Sequence, residues 1–211
     1  MFLFIKRLVD IILSLLGMII LSPVILIIVI LIKLDSKGPV LFKQKRVGKN
    51  KTHFNILKFR TMKIDTPKDT PTHLLDNPDQ YITRMGKFLR KTSLDELPQI
   101  WNIFVGDMSI IGPRQELWNQ DDLIAERDRY GASVILAGLT GWAQINGRDE
   151  LPIEVKAKLD GEYVENMGIK MDAKCFIGTI ISVLKSDGVV EGGTGTLSNV
   201  EDTAKKEPVS K

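Results

Sequence analysis

The chain has 211 residues, 44% of them hydrophobic and 26% charged, with a formal net charge of +3. That length builds one good core with appendages and excludes a second full domain. A single cysteine, Cys175, excludes an internal disulfide, and two histidines, His53 and His73, are too few and too far apart for a zinc site. A reducing, cytosolic face is the compartment that this composition fits.

The first element is apolar. From Leu8 to Ile32 the run is interrupted only by Asp10, Ser14 and Ser22, with glycine at Gly17 and proline at Pro23. About 25 residues at 1.5 Å each make roughly 37 Å of helix, enough for a hydrocarbon core of about 30 Å. The run ends in "IKLDSKGP" rather than a small-residue cleavage site, so residues 1–33 read as a retained anchor and not a signal peptide. Lys6 and Arg7 flank it on one side, and Lys33, Lys37, Lys43, Lys45 and Arg46 on the other. The positive-inside rule favours the cytoplasm for both sides if the geometry allows it. Ser22-Pro23 supplies such a geometry: the proline removes a helical N–H and clashes with the preceding turn, which breaks or kinks the helix. The neighbouring hydroxyl can satisfy the freed carbonyl where water cannot. On the residues alone, a re-entrant helix and a bent spanning helix stand equal.

From Lys33 to Lys63 ten Lys or Arg face one acidic residue, Asp35. "PVLFKQKRVGKNKTHFNILKFRTM" alternates as two strands joined at "GKNK". A basic hairpin beside a membrane anchor meets anionic lipid or a phosphorylated substrate. Lys58 and Arg60 flank Phe59 and share one strand face, as a converging phosphate site requires. Residues from Thr66 to Tyr81 hold three prolines and read as a surface loop.

Helical spacing follows at Ile82, Met85 and Leu89. It resumes at Leu97, Ile100, Trp101 and Phe104 and stops at Gly106, which predicts a helix from about Asp95 to Val105. "MSIIGPRQ" reads as a short strand entering a Gly-Pro turn, "QDDLIAERDRYG" as a polar helix and "GLTGWAQINGR" as a glycine-rich strand and loop. "LPIEVKAKLDGEYVENMG" and "DAKCFIGTIISVLK" add two helices, the second apolar enough to lie in a membrane interface. The fold class is α+β: a membrane helix, then a compact, mainly helical domain over 34–190 with a small β-hairpin. Residues 191–211 lack apolar periodicity and read as a disordered tail. The "GGTG" there precedes no helix, and "VGKNKT" lacks the upstream glycine of a P-loop.

Asp95 and Glu96 stand together just before Pro98. One explanation is a cap: Ser93 and Glu96 fit the S-x-x-E capping box, and Asp95 can itself be the N-cap. That explains one carboxylate and leaves the other. A helix N-terminus also stabilises an anionic carboxylate and favours phosphate beside it. Lys58, Arg60, Arg90, Arg114 in "GPR" and Arg148 in "NGR" are cations in short runs that a fold could bring together. Two acids can hold one Mg²⁺ against a diphosphate whose oxygens the cations neutralise, as in a phosphoryl-transfer site.

The order of the apolar anchor with "SP", then "GPVLFKQKRVG", "LKFRTM", "LRKTSLDELPQIWNIFVGDMSIIGPR" and "GLTGWAQINGR", resembles the bacterial sugar transferase family, small monotopic phosphoglycosyl transferases. The resemblance implies transfer of a phosphosugar from a UDP-sugar to undecaprenyl phosphate, with release of UMP, at the cytoplasmic face of the bacterial inner membrane. It implies a re-entrant helix broken at Ser22-Pro23. By position, Asp95 matches the family's nucleophile, which becomes a phosphosugar ester, and Glu96 its partner in Mg²⁺ binding or proton transfer. Lys58, Arg60, Arg90, Arg114 and Arg148 fall in or beside the family's basic motifs and are assigned to substrate phosphates. The implied cofactor is Mg²⁺ and the implied partners are UDP-sugar, undecaprenyl phosphate and membrane lipid, with no nucleic acid. The sugar, the pathway and the oligomeric state are not implied. One departure stands out: the family usually reads Pro-Arg-Pro where this chain has Pro113-Arg114-Gln115, which predicts a less rigid loop around the arginine.

Two rival readings follow from the same residues. A glycosyltransferase that moves the sugar without its phosphate usually carries a D-x-D metal motif, which this sequence lacks. A membrane-tethered binding module would dock its basic hairpin on anionic lipid and weaken with salt, and it gives Asp95 and Glu96 no task.

Overall fold

The computed structural model describes residues 1–66, 77–147 and 151–185. Arg148, the tail over 191–211 and much of the proline-rich loop lie outside them. In chain order the elements are α1 (Phe2–Asp35), β1 (Leu41–Val47), β2 (His53–Phe59), α2 (Arg84–Lys91), α3 (Gln99–Val105), β3 (Met108–Ile111), β4 (Glu116–Leu117), α4 (Asp121–Arg129), β5 (Ala137–Thr140), α5 (Trp142–Ile145), α6 (Ile153–Glu165) and α7 (Ile169–Lys185). This is the expected α+β arrangement. The hairpin β1–β2 forms with Leu41 opposite Phe59 and Val47 opposite His53. Two elements escaped the sequence reading: β4, which pairs with the other edge of β1, and the single turn of α5.

The first helix is 34 residues long, about 51 Å at 1.5 Å per residue, and the only described helix long and apolar enough to cross a membrane. Helical backbone runs through both Ser22 and Pro23, so the helix is not interrupted at the expected break. Pro23 has no N–H for the Ile19 carbonyl, and the Ser22 hydroxyl donates to that oxygen at 2.8 Å in its place. The side-chain bond thus replaces the missing rung.

The polar residues within α1 are its docking face. The Arg7 guanidinium caps the end of α3, donating to the Ile103 and Phe104 carbonyls at 2.6 and 2.7 Å. Lys6 pairs with Asp172 of α7 at 2.7 Å, and buried Asp10 accepts the Ile110 N–H at 3.0 Å. Further along, Ile28 and Ile32 are buried with Phe59 and Leu89, packed by Met85, Leu94 and Leu97. At the far end Asp35 accepts the Met85 N–H. One side of α1 therefore lies along the folded domain at both ends, while Leu8, Leu16, Ile20, Ile27 and Leu34 on its remaining surface are exposed. The helix α7 also exposes an apolar side, with Phe176, Ile177, Ile180 and Ile181.

The polypeptide after β3 is pinned by close backbone contact. Strands β3 and β5 run parallel, and the Gly112 N–H donates to the Thr140 carbonyl at 2.8 Å. A Cβ on Gly138 would lie 2.2 Å from the Gly112 nitrogen, and one on Gly141 2.1 Å from the Gly112 carbonyl oxygen. Only glycine permits this approach. The "GLTG" segment is thus the bed on which Gly112-Pro113-Arg114 lies.

Candidate active site

The helix expected from Asp95 begins later. Leu94–Glu96 form a separate 3-10 turn, and α3 starts at Gln99 with Pro98 at its N-cap position. Neither Ser93 nor Asp95 makes the expected cap: Ser93 is left-handed, with φ of 56°, and has no capping hydrogen bond. The physical reason is that the turn and the helix share nearly the same apolar spacing, with Leu94 and Leu97 both packed on the core formed by Ile28, Ile32, Phe59 and Leu89. The carboxylates sit on a turn ahead of the helix, and capping does not account for them.

Glu96 meets two of the expected cations. Lys58 Nζ donates to its Oε1 at 2.7 Å and Arg114 Nη2 to the same oxygen at 2.9 Å. Burial pushes the Glu96 carboxyl up, but Arg114 and Lys58 outweigh it and hold the group well below the usual carboxylate range. Asp95 behaves in the opposite way. Burial raises it, the neighbouring Glu96 charge adds to that, and Lys58, Arg90 and Arg114 only partly offset the rise. Among the described residues Asp95 makes no hydrogen bond or ion pair. One carboxylate is clamped, and the other is without a side-chain partner among the described residues, beside three cations.

Each member has an identifiable support. Asn102, a polar residue inside the apolar pattern of α3, binds the free edge of β2: its Oδ1 accepts the Leu57 N–H and its Nδ2 donates to the Asn55 carbonyl, both at 2.9 Å. This sets Lys58 against Glu96. Arg90 reaches the site from α2, and its Nε donates to Thr61 Oγ1 at 2.9 Å. Neither Asn102 nor Thr61 was singled out from the sequence, although an amide in an otherwise apolar helix was a visible signal.

Arg60 is not part of this group. The strand ends at Phe59, and the Arg60 guanidinium turns to the end of α1, donating to the Lys37 and Ser36 carbonyls at 2.6 and 2.8 Å. Strand alternation placed it beside Lys58; two loop carbonyls just after α1 hold it instead. Of the five expected phosphate-binding cations, the structure brings together Lys58, Arg90 and Arg114, diverts Arg60 and leaves Arg148 outside the described residues.

The model of the family described as bacterial sugar transferase matches residues 1–186. The exopolysaccharide production protein PSS of Rhizobium leguminosarum bv. phaseoli is 38% identical, over 85% of this chain and 94% of its own. Undecaprenyl-phosphate glucose phosphotransferase of Komagataeibacter xylinus is 38% identical over 83% of this chain and 35% of its own. UDP-glucose:undecaprenyl-phosphate glucose-1-phosphate transferase of Escherichia coli is 37% identical over 83% of this chain and 39% of its own. With the family match spanning anchor, hairpin, dyad turn and the last two helices, the chain belongs to the bacterial sugar transferase family.

Proposed function

We propose that this protein transfers a sugar phosphate from a UDP-sugar to undecaprenyl phosphate in two displacements on Asp95. The carrying observation is the division of labour between neighbouring carboxylates: Glu96 is fixed by Lys58 and Arg114, whereas Asp95 has no side-chain partner among the described residues and lies within the field of Lys58, Arg90 and Arg114. In the first displacement an Asp95 oxygen attacks the β-phosphorus, the bond to the bridging oxygen breaks, and UMP leaves. In the second, a phosphate oxygen of the lipid acceptor attacks the same phosphorus and releases the Asp95 carboxylate, giving the undecaprenyl-diphosphate sugar. Splitting the transfer lets one acceptor position serve two anionic substrates in turn. Lys58, Arg90 and Arg114 offset the charge of the transferring group.

Glu96, held ionised, is a poor proton donor near neutral pH, so its role is to hold Lys58 and Arg114 and to offer an oxygen to a metal. Among the described residues no cluster of three or more His, Cys, Asp or Glu side chains is found. Asp95 and Glu96 nevertheless fit Mg²⁺, which commonly takes one or two carboxylates together with substrate phosphate oxygens and water. When bound, Mg²⁺ would neutralise part of the diphosphate charge.

In the same reading α1 bends at Pro23 without losing its helical backbone and dips into one leaflet rather than crossing, with the catalytic domain at the cytoplasmic face of the inner membrane. Its support is that both ends of α1 are tied to one folded body, through Lys6, Arg7 and Asp10 at one end and Asp35 at the other. A crossing helix would carry its first residues about 30 Å of hydrocarbon away.

The test is intact-protein mass spectrometry of the full chain in detergent with Mg²⁺ and a panel of UDP-sugars. A mass gain of one phosphosugar, absent in Asp95→Asn and discharged by undecaprenyl phosphate with UMP formed, is expected. Full turnover by Asp95→Asn would overturn the assignment.

A further inference from the structure

We propose that Arg127 is a positioning residue that fixes the backbone of Arg114 and so aims the Arg114 guanidinium at Glu96 and the donor phosphates. The inference rests on the reading of Arg114 as a phosphate-binding cation. Arg127 lies on α4, is 3% exposed, and touches neither carboxylate of the dyad in any described contact. Its Nε donates to Asp160 Oδ2 of α6 at 2.7 Å, Nη2 lies 2.6 Å from the same oxygen, and Nη1 bonds Glu116 of β4. The Nη1 group also donates to the Arg114 carbonyl at 2.7 Å.

That last bond carries the proposal. The peptide before Arg114 is fixed because the Pro113 carbonyl accepts the Gly138 N–H at 2.7 Å. The peptide after it is fixed because the Arg114 carbonyl accepts from Arg127. With both flanking peptide planes held, the Cα–Cβ direction of Arg114 is set, and its side chain emerges toward Glu96. The fork of a guanidinium can bind two carboxylates and a carbonyl at once, which the point charge of an ammonium cannot do from the same place. Gln115 also lies in this held segment: it is buried, and Glu116 after it pairs with Val47 of β1. The segment that lacks the second proline is thus held at its backbone by these contacts.

The experiment is a double-mutant cycle between Arg127→Lys and Arg114→Ala in the full chain, reading UMP release from a UDP-sugar that the wild type accepts, with undecaprenyl phosphate as acceptor. Arg127→Lys is expected to lower kcat/KM for the donor about 10- to 100-fold, since a displacement of about 1 Å at a reacting group costs on that order. In the Arg114→Ala background the same change is expected to cost less than about twofold, because a residue acting through another is not additive with it. An equal loss in both backgrounds overturns the inference and marks Arg127 as merely structural. Arg114→Ala with wild-type kcat/KM instead removes the functional reading of Arg114 and the inference with it. If Arg127→Lys does not accumulate folded, Asp160→Asn takes its place in the cycle, with the same two outcomes.

Discussion

Two ion-paired clusters flank Arg114 and are built with opposite charge. On one side two cations, Lys58 and Arg114, share a single carboxylate oxygen of Glu96. On the other, two carboxylates, Glu116 and Asp160, share the single guanidinium of Arg127. The first cluster is open to solvent at its cationic end, with the Arg114 side chain 33% exposed; the second is closed, with Arg127 at 4% and Asp160 at 0%. Excess positive charge beside an opening is available to an anionic ligand, whereas excess negative charge in a sealed site only raises the carboxyl pKa values. Burial pushes both Glu116 and Asp160 up, and Arg127 offsets this only in part. The same ingredients give an exposed cationic rim in one place and a sealed scaffold in the other.

The largest expected effect comes from breaking the open cluster. Glu96→Gln keeps the shape but removes the charge that holds Lys58 and Arg114, and turnover should fall about 100-fold or more, as for loss of a preorganised electrostatic group. Glu116→Gln, the same chemical change in the closed cluster, should leave turnover within about twofold, because Asp160 remains to hold Arg127. Comparable losses from the two substitutions would dissolve the distinction.

The pH dependence of stability sharpens it. Glu96 has a depressed folded pKa, so its contribution is present above the ordinary glutamate value of about 4.3 and is lost as pH falls through the folded value. Glu116 and Asp160 are raised, so the folded state binds protons that the unfolded state has released, and their contribution declines as pH rises from about 4 through the folded values. Thermal scans from pH 4 to 8 should therefore show Glu116→Gln gaining midpoint relative to wild type as pH rises. Glu96→Gln should show a loss that persists across that range and narrows only in stronger acid. On the proposed nucleophilic role of Asp95, its raised carboxyl should place the acid limb of a kcat/KM–pH profile above the ordinary aspartate value of about 3.9.

Much of this arrangement was legible in the sequence because it depends on local pattern. The strand alternation gave the hairpin, "MSIIGPRQ" gave the strand and its Gly-Pro turn, and the family resemblance singled out the adjacent acids that local pattern alone also read as a cap. What was not legible depended on partners far along the chain. Arg60 and Lys58 are equivalent by alternation, and only the position of the last turn of α1 separates them. Arg127 sits in a polar helix like any surface arginine until α6 brings Asp160 across 33 residues. The side of α1 that docks was readable in retrospect: Arg7, Asp10, Ser14 and Gly17 recur at helical spacing, and Ile28 and Ile32 continue the stripe. Asp10 and Ser14 read as interruptions of a membrane run, and Arg7 as a flanking charge, because hydropathy counts residues without asking which face they share.

The smallest expected effect isolates burial from pairing. Lys51, on the turn of the hairpin, pairs with Asp128 near the end of α4, but the two side chains are 57% and 33% exposed. The pairing lowers the Asp128 carboxyl, mainly through the Lys51 hydrogen bond. Water and salt screen this contact, and ordering two side chains at the surface cancels much of what attraction remains, so an exposed pair contributes about 0–1 kcal/mol. Lys51→Ala should shift stability by no more than about 0.5 kcal/mol, and that small shift should shrink further when salt is raised. Arg127→Met also removes one cation from a pair of carboxylates, yet it strands them without water and should cost about 3–5 kcal/mol. If the two substitutions cost the same in denaturant titrations, pairing alone sets the energy and the contrast between open and closed clusters loses its physical basis. If they differ as expected, the sealed environment of Arg127 separates a scaffold charge from a surface one.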